Sequence, residues 1–205
     1  MKRIVCFILL AALLLSLPAC GETETGAPEE GKLSIVTTLF PAYDFAREIA
    51  GDRASVTLLV PPGAEAHSFE PTAKDMIRIR DCDLFFCNGG ESEAWVEELL
   101  ADQPVETLVM LQCVDTLEEE IKEGMQEIAE GEEGEDEGPE YDEHVWTSPV
   151  NAKRICEALC ERLCALDPEG EREYWANLAR YAAQLDELDA AFRQAVAEGS
   201  RRTLI

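Results

Sequence analysis

Two histidines, His67 and His144, are the only imidazoles in the chain. Imidazole nitrogen suits Zn²⁺, and also Mn²⁺ or Fe²⁺. His67 sits in Pro61-Pro-Gly-Ala-Glu-Ala-His-Ser-Phe-Glu-Pro71, and His144 in Asp142-Glu-His-Val-Trp-Thr-Ser-Pro-Val-Asn151. Both segments are loops that follow a predicted strand or precede a predicted helix, where parallel sheets hold ligands. Spacing alone favours two satisfied polar residues over co-ligands, and two imidazoles fall short of the four ligands zinc usually takes. An imidazole ligates only when neutral, so metal affinity at such a pair falls as pH drops toward the ordinary histidine value of about 6.5.

Cysteine is the other ligand type in quantity, with eight residues. Cys6 and Cys20 belong to the N-terminal segment, which leaves Cys82, Cys87, Cys113, Cys156, Cys160 and Cys164. An even number in an exported chain raises disulfides, but the spacing does not favour them. Cys156, Cys160 and Cys164 recur every four residues on one face of a predicted helix, beside Leu159 and Leu163, and read as small buried apolar groups. A thiolate metal cluster is the rival, and no CxxC pair supports it. Cys82 and Cys87 flank the strand Asp83-Leu-Phe-Phe and are expected on opposite sides of it. No HExxH helix or nucleophile elbow is present, so a zinc hydrolase, which needs a metal-activated water and a positioned base, is disfavoured.

The elements that must position these residues alternate. Lys32–Leu39, apolar and β-branched, and the stretches Ser55–Val60, Leu84–Asn88 and Thr107–Gln112 predict strands. Between them fall helices over Ala42–Ala50, opened by Pro41 and stopped by Gly51, from a Thr72/Asp75 capping box through Arg80, and over Ser92–Ala101. This order predicts an α/β fold, a parallel four-stranded sheet flanked by helices. Ser148-Pro149 starts a helix to about Leu166, and Asp167-Pro168 repeats the signal. A long helix from Glu169 to about Glu198 follows, with an apolar stripe of Trp175, Leu178, Tyr181, Ala182, Leu185, Leu188, Phe192 and Val196, and with Gly199 closing it.

Charge narrows the function classes. The 205 residues carry 43 acidic and 17 basic side chains, a net charge of −26. That excludes most nucleic-acid binders, which need a basic footprint, and permits cations. Residues 118–143 hold 14 acidic side chains and one lysine, half of the net charge. This stretch is expected to be a flexible solvated loop, or a weak collector of divalent cations. Met1-Lys2-Arg3, an apolar run of about 14 residues and Leu17-Pro18-Ala19-Cys20 form an export signal, too short to span a membrane as a mature helix. The ending resembles a bacterial lipobox with Cys20 as lipidation site; a plain secretory signal is the other reading. Residues 21–31 are small and acidic, a tether between lipid and domain.

With these residues in place, the chain resembles the substrate-binding lipoproteins of zinc and manganese ABC importers, the ZnuA/TroA-like family. The resemblance runs through Ile35-Val-Thr-Thr-Leu-Phe-Pro-Ala-Tyr-Asp44, Leu59-Val-Pro-Pro-Gly-Ala-Glu-Ala-His-Ser-Phe-Glu-Pro-Thr72, Cys82-Asp-Leu-Phe-Phe86, Asn88-Gly89, Trp95-Val96 and His144-Val-Trp-Thr-Ser-Pro-Val-Asn-Ala152. It implies His67 and His144 as metal ligands, capture of Zn²⁺ with Mn²⁺ second, partnership with a permease and its ATPase, and no catalysis. It also implies a signal over 1–19, a lipidated tether over 20–31, a metal-binding lobe over 32–166 and an inter-lobe helix over 167–199. Residues 200–205 would then begin a second lobe that is missing, and with it a third ligand, usually histidine, and a fourth carboxylate. Some relatives place a glutamate directly before the first histidine, but Ala66 stands there and Glu65 lies one residue earlier. The loop before the second histidine is often histidine-rich in zinc members and is acidic here. An adhesin or interaction lipoprotein, or a truncated fragment without transport activity, are the alternatives.

Overall fold

The computed structural model describes residues 31–64, 69–102, 104–118 and 141–200. Four strands, β1 (Leu33–Thr37), β2 (Ala54–Leu58), β3 (Leu84–Cys87) and β4 (Thr107–Val109), form one parallel sheet in the order β2-β1-β3-β4. Ile35 of β1 stands opposite Val56 of β2 on one side and Leu84 of β3 on the other. The helices are α1 (Phe40–Ala50), α2 (Ala73–Arg80), α3 (Trp95–Asp102), α4 (Pro149–Leu166) and α5 (Glu171–Glu198). The α/β class expected from the alternating pattern is the one that forms.

Strand alternation sorts the core into two layers. Ile35, Leu84 and Phe86 point to the side covered by α1, α4 and α5, where Ala46, Ile49, Ile155, Leu159 and Tyr174 are buried. Val36, Phe85 and Cys87 point to the other side, beneath α2 and α3, with Ile79, Val96 and Leu99. With helices on both faces, every residue of β3 is buried, as central parallel strands require.

Local signals explain the helix starts. The Thr72 hydroxyl accepts the Asp75 N–H and the Asp75 carboxylate accepts the Thr72 N–H, a reciprocal capping box. The Ser148 hydroxyl accepts the Asn151 N–H, and Pro149 fills the first helical position. Gly51 ends α1 at φ +57°, a left-handed conformation that favours glycine.

Four expectations are corrected. The strand predicted to Gln112 stops at Val109, because Met110 turns into the larger core and Leu111 N–H donates to the Asn88 carbonyl at 3.1 Å, giving a 3₁₀ turn over Met110–Cys113. The helix predicted from Ser92 begins at Trp95, after a 3₁₀ turn over Glu91–Glu93. Cys82 and Cys87 pack against the same α2/α3 layer, since Cys82 precedes the strand and escapes its alternation. On α5 the buried line is Tyr174, Leu178 and Leu185, whereas Trp175, Leu188, Phe192 and Val196 are exposed. The helix, about 42 Å long, rests on α1 and α4 only through its first half. There Asn177 Nδ2 donates to the Ile49 carbonyl (3.1 Å), the Tyr181 hydroxyl to Asp44 (3.0 Å) and Lys153 Nζ to Asp186 (2.8 Å). No helix among the described residues is long and apolar enough to cross a membrane.

A triad ties the start of α5 to the sheet. Asp167 accepts from Arg53 Nε and from the Tyr174 hydroxyl, both at 2.7 Å. Gly170 is compelled here, because a Cβ on it would come within 2.6 Å of the Tyr174 ring.

All six described cysteines are free. Burial is the largest cause of a raised thiol pKa at each, to about 12 for Cys82 and Cys160 and well above the ordinary value for Cys87. The thiolate is the nucleophile, so burial slows the reaction of these thiols while the chain is folded. In a chain starting at residue 21, reaction with an aromatic disulfide at neutral pH is expected to be at least tenfold slower in the native state than in urea, where all six thiols react. Native and denatured rates that coincide would refute this.

The acidic stretch enters and leaves side by side. Glu118 and Tyr141 form an isolated antiparallel bridge, and Asp142 N–H donates to the Leu117 carbonyl at 2.9 Å. The intervening residues 119–140, expected to be flexible, lie outside the described residues, as does Cys20.

Candidate metal centre

The chain steps from β1 to β2 on one side and then back across β1 to β3 on the other, so the sheet has a switch point between β1 and β3. Crevices at the carboxyl ends of strands at such a point are where open α/β sheets hold ligands. A cleft of about 490 Å³ lies there, walled by Phe40, Val60, Pro61, Asn88, His144 and Trp146 among others.

Its first wall comes from the segment after β2. Ala64 N–H donates to the Pro61 carbonyl at 3.0 Å, with Gly63 at φ +83°. Pro at the second position and a left-handed Gly at the third are what a type II turn requires. His67 follows this turn three residues later in the sequence. His67 itself falls within 65–68, outside the described residues.

His144 also lines the cleft. It is about half exposed. Asp142 Oδ1 accepts the His144 main-chain N–H at 2.8 Å and faces the imidazole Nδ1 at 3.0 Å. The main-chain bond, with the imidazole adding to it, outweighs desolvation and holds the Asp142 carboxyl below its ordinary range. An ionised carboxylate beside Nδ1 favours the proton on that nitrogen, which makes Nε2 the atom with the lone pair a metal takes. The ring also lies against Trp146, centroids 5.4 Å apart. Thr147 N–H and hydroxyl both bond the His144 carbonyl, closing the turn over Val145–Thr147.

Behind His144 lies a polar layer that sequence reasoning missed. Asn88 donates its side-chain amide to the Glu143 carbonyl at 3.1 Å, and the Glu143 carboxylate accepts from the N–H of Glu91 and Ser92 and from the Ser92 hydroxyl. Glu93 is buried and accepts the N–H groups of Asn88 and Gly89. The signal available was the pair Gly89-Gly90 directly after a strand, which marks a close backbone approach. Gly90 sits at φ +89°, and a Cβ there would fall on the Glu143 side chain.

The site is incomplete within the described residues. No group of three or more His, Cys, Asp or Glu among them is disposed to hold a metal ion. Cys156, Cys160 and Cys164 line the core, away from the cleft.

The sequence and the fold resemble those of known proteins. Residues 35–205 match the family model described as zinc-uptake complex component A, periplasmic (ZnuA). The chain is 34% identical over its whole length to the zinc-binding lipoprotein AdcA of Streptococcus pneumoniae R6, of which it spans 40%. It is 33% identical over 96% of its length to the high-affinity zinc uptake protein ZnuA of Bacillus subtilis, covering 62% of that protein. The crystal structure of Zn(II)-bound AdcA from S. pneumoniae superposes with a TM-score of 0.69 at 32% identity, over 83% of this chain and 34% of that one.

Proposed function

Because the chain belongs to the ZnuA family of zinc-uptake complex components, we propose that it captures Zn²⁺ outside the cytoplasm for delivery to an ABC importer. Mn²⁺ is the second candidate cargo. His67 and His144 are the proposed ligands from this chain. Residues 32–166 would serve as the metal-binding lobe and 167–199 as the helix joining it to another. Cys20 would carry the lipid that keeps the protein at the outer face of the membrane, within reach of permease and ATPase. No bond is made or broken, and the chain acts as a carrier.

The observation that carries this reading is the shared wall. The turn over residues 61–64, which precedes His67 in sequence, and the imidazole of His144 border the same crevice at the switch point, although the two histidines are 77 residues apart. A carboxylate already oriented on Nδ1 of His144 is the outer partner that metal-binding histidines use.

Equilibrium dialysis with metal analysis tests it, on residues 21–205 and on the His67→Ala/His144→Ala double variant. Zinc held more tightly than manganese, and released by the double variant, is the expected result. Weak binding of several ions that the substitutions leave unchanged would assign all binding to residues 118–143 and overturn the reading.

A further inference from the structure

The polar layer behind His144 forms a closed circuit. Glu93, 4% exposed, takes the N–H of Asn88 at 2.9 Å and of Gly89 at 2.8 Å on a single carboxylate oxygen. Asn88, 1% exposed, passes from that fixed main chain to the Glu143 carbonyl through its amide. Glu143 returns through its own carboxylate to the main chain of Glu91 and Ser92, the turn that carries Glu93. Gly90 completes the fit, since any side chain there would displace Glu143.

Each link fixes main chain, and the last main chain fixed is the residue bonded directly to His144. A carboxyl in Glu93's position is costly, because burial pushes its pKa up and outweighs the hydrogen bonds from Thr38, Gly89 and Asn88 that favour the carboxylate. The main-chain bonds that Glu93 accepts are what distinguishes it from a leucine at that place.

We propose that Glu93 is a positioning residue for His144, acting through the main chain of Asn88 and Gly89, the Asn88 amide and the main chain of Glu143. The consequence for metal affinity rests on the zinc reading above. The consequence for the orientation of the imidazole does not.

Two histidines make the test clean. The chain is labelled with ¹⁵N-histidine and the imidazole signals are assigned with His67→Gln. The first readout is the ring-current shift that Trp146 imposes on the His144 ring protons. The second is the zinc dissociation constant by competition with a chelating dye. Glu93→Ala is expected to lose at least half of the ring-current shift and to weaken zinc about tenfold. Glu93→Gln, whose amide carbonyl accepts the same two N–H groups, is expected to keep both within twofold.

A wild-type ring shift in folded Glu93→Ala overturns the proposal, and so does Glu93→Gln behaving like Glu93→Ala. If His144→Ala leaves zinc affinity unchanged, the zinc reading fails and the ring shift alone decides the positioning role. Should Glu93→Ala lack a cooperative unfolding transition, Asn88→Ser removes only the amide arm. It should lose the ring shift likewise, and a wild-type shift there overturns the circuit.

Discussion

Replacing His144 by alanine is expected to weaken zinc binding at least tenfold, and His67→Ala to do the same. Tenfold corresponds to about 1.4 kcal/mol, a low bound for one nitrogen ligand. The His144 side chain also has a prepared environment. Asp142 bonds both its main chain and its ring, Trp146 flanks the ring, and Thr147 closes the turn beneath it. Little ordering remains for the metal to impose at this wall, so loss of the ligand removes affinity without a compensating gain in chain freedom. The measurement is zinc titration against a competing chelator at neutral pH, with unfolding midpoints to confirm that each variant is folded. Unchanged affinity in either variant would remove that residue from the site.

Tyr174→Ala is expected to be the most destabilising single change in the described chain. Tyr174 is fully buried where the start of α5 meets α4 and the larger core. Truncating a large buried aromatic costs about 3–5 kcal/mol in transfer and cavity terms. In a chain of this size that lowers the thermal midpoint by about 10 °C. Tyr174→Phe isolates the hydroxyl and should cost only about 1 kcal/mol.

The pH profile separates the two contributions further. Burial alone would raise the Asp167 carboxyl, but hydrogen bonds from Tyr174 and Arg53, with the Arg53 charge, outweigh it and hold it below the ordinary value. A carboxyl depressed in the folded state stabilises the fold fully above its unfolded pKa of about 3.9 and loses that contribution as pH falls through the folded value. Tyr174→Phe removes one of those bonds, so its stability should fall less steeply than wild type below about pH 4. Urea unfolding at a series of pH values reads both effects, and parallel acid limbs would show that the hydroxyl contributes nothing to Asp167.

The sheet was legible because its strands are short, apolar and separated by strong caps. Thr72/Asp75, Ser148-Pro149 and Gly51 each act within a few residues, where sequence and structure share one scale. What sequence misplaced was set from a distance. Leu111 turns because Asn88, 23 residues earlier, takes its N–H. The α5 stripe was read with the right period, but a period does not say how much of a helix meets a neighbour, and only its first half rests on α1 and α4. At the site, His144 stood out by type and by the motif around it. Ser92 and Glu93 did not, because a buried glutamate in a polar loop looks like any exposed one until the fold closes over it.

The bridge between Glu118 and Tyr141 bears on how the chain tolerates change. It brings the two ends of a long excursion together, so the fold beyond it meets a junction one strand-spacing wide whatever lies between. Closing a loop grows costlier only with the logarithm of its length, about 0.6 kcal/mol per doubling. Relatives with longer or shorter excursions at this junction need alter nothing else in the sheet, and a reporter domain spliced between residues 118 and 141 would stand within reach of the cleft while leaving its walls intact.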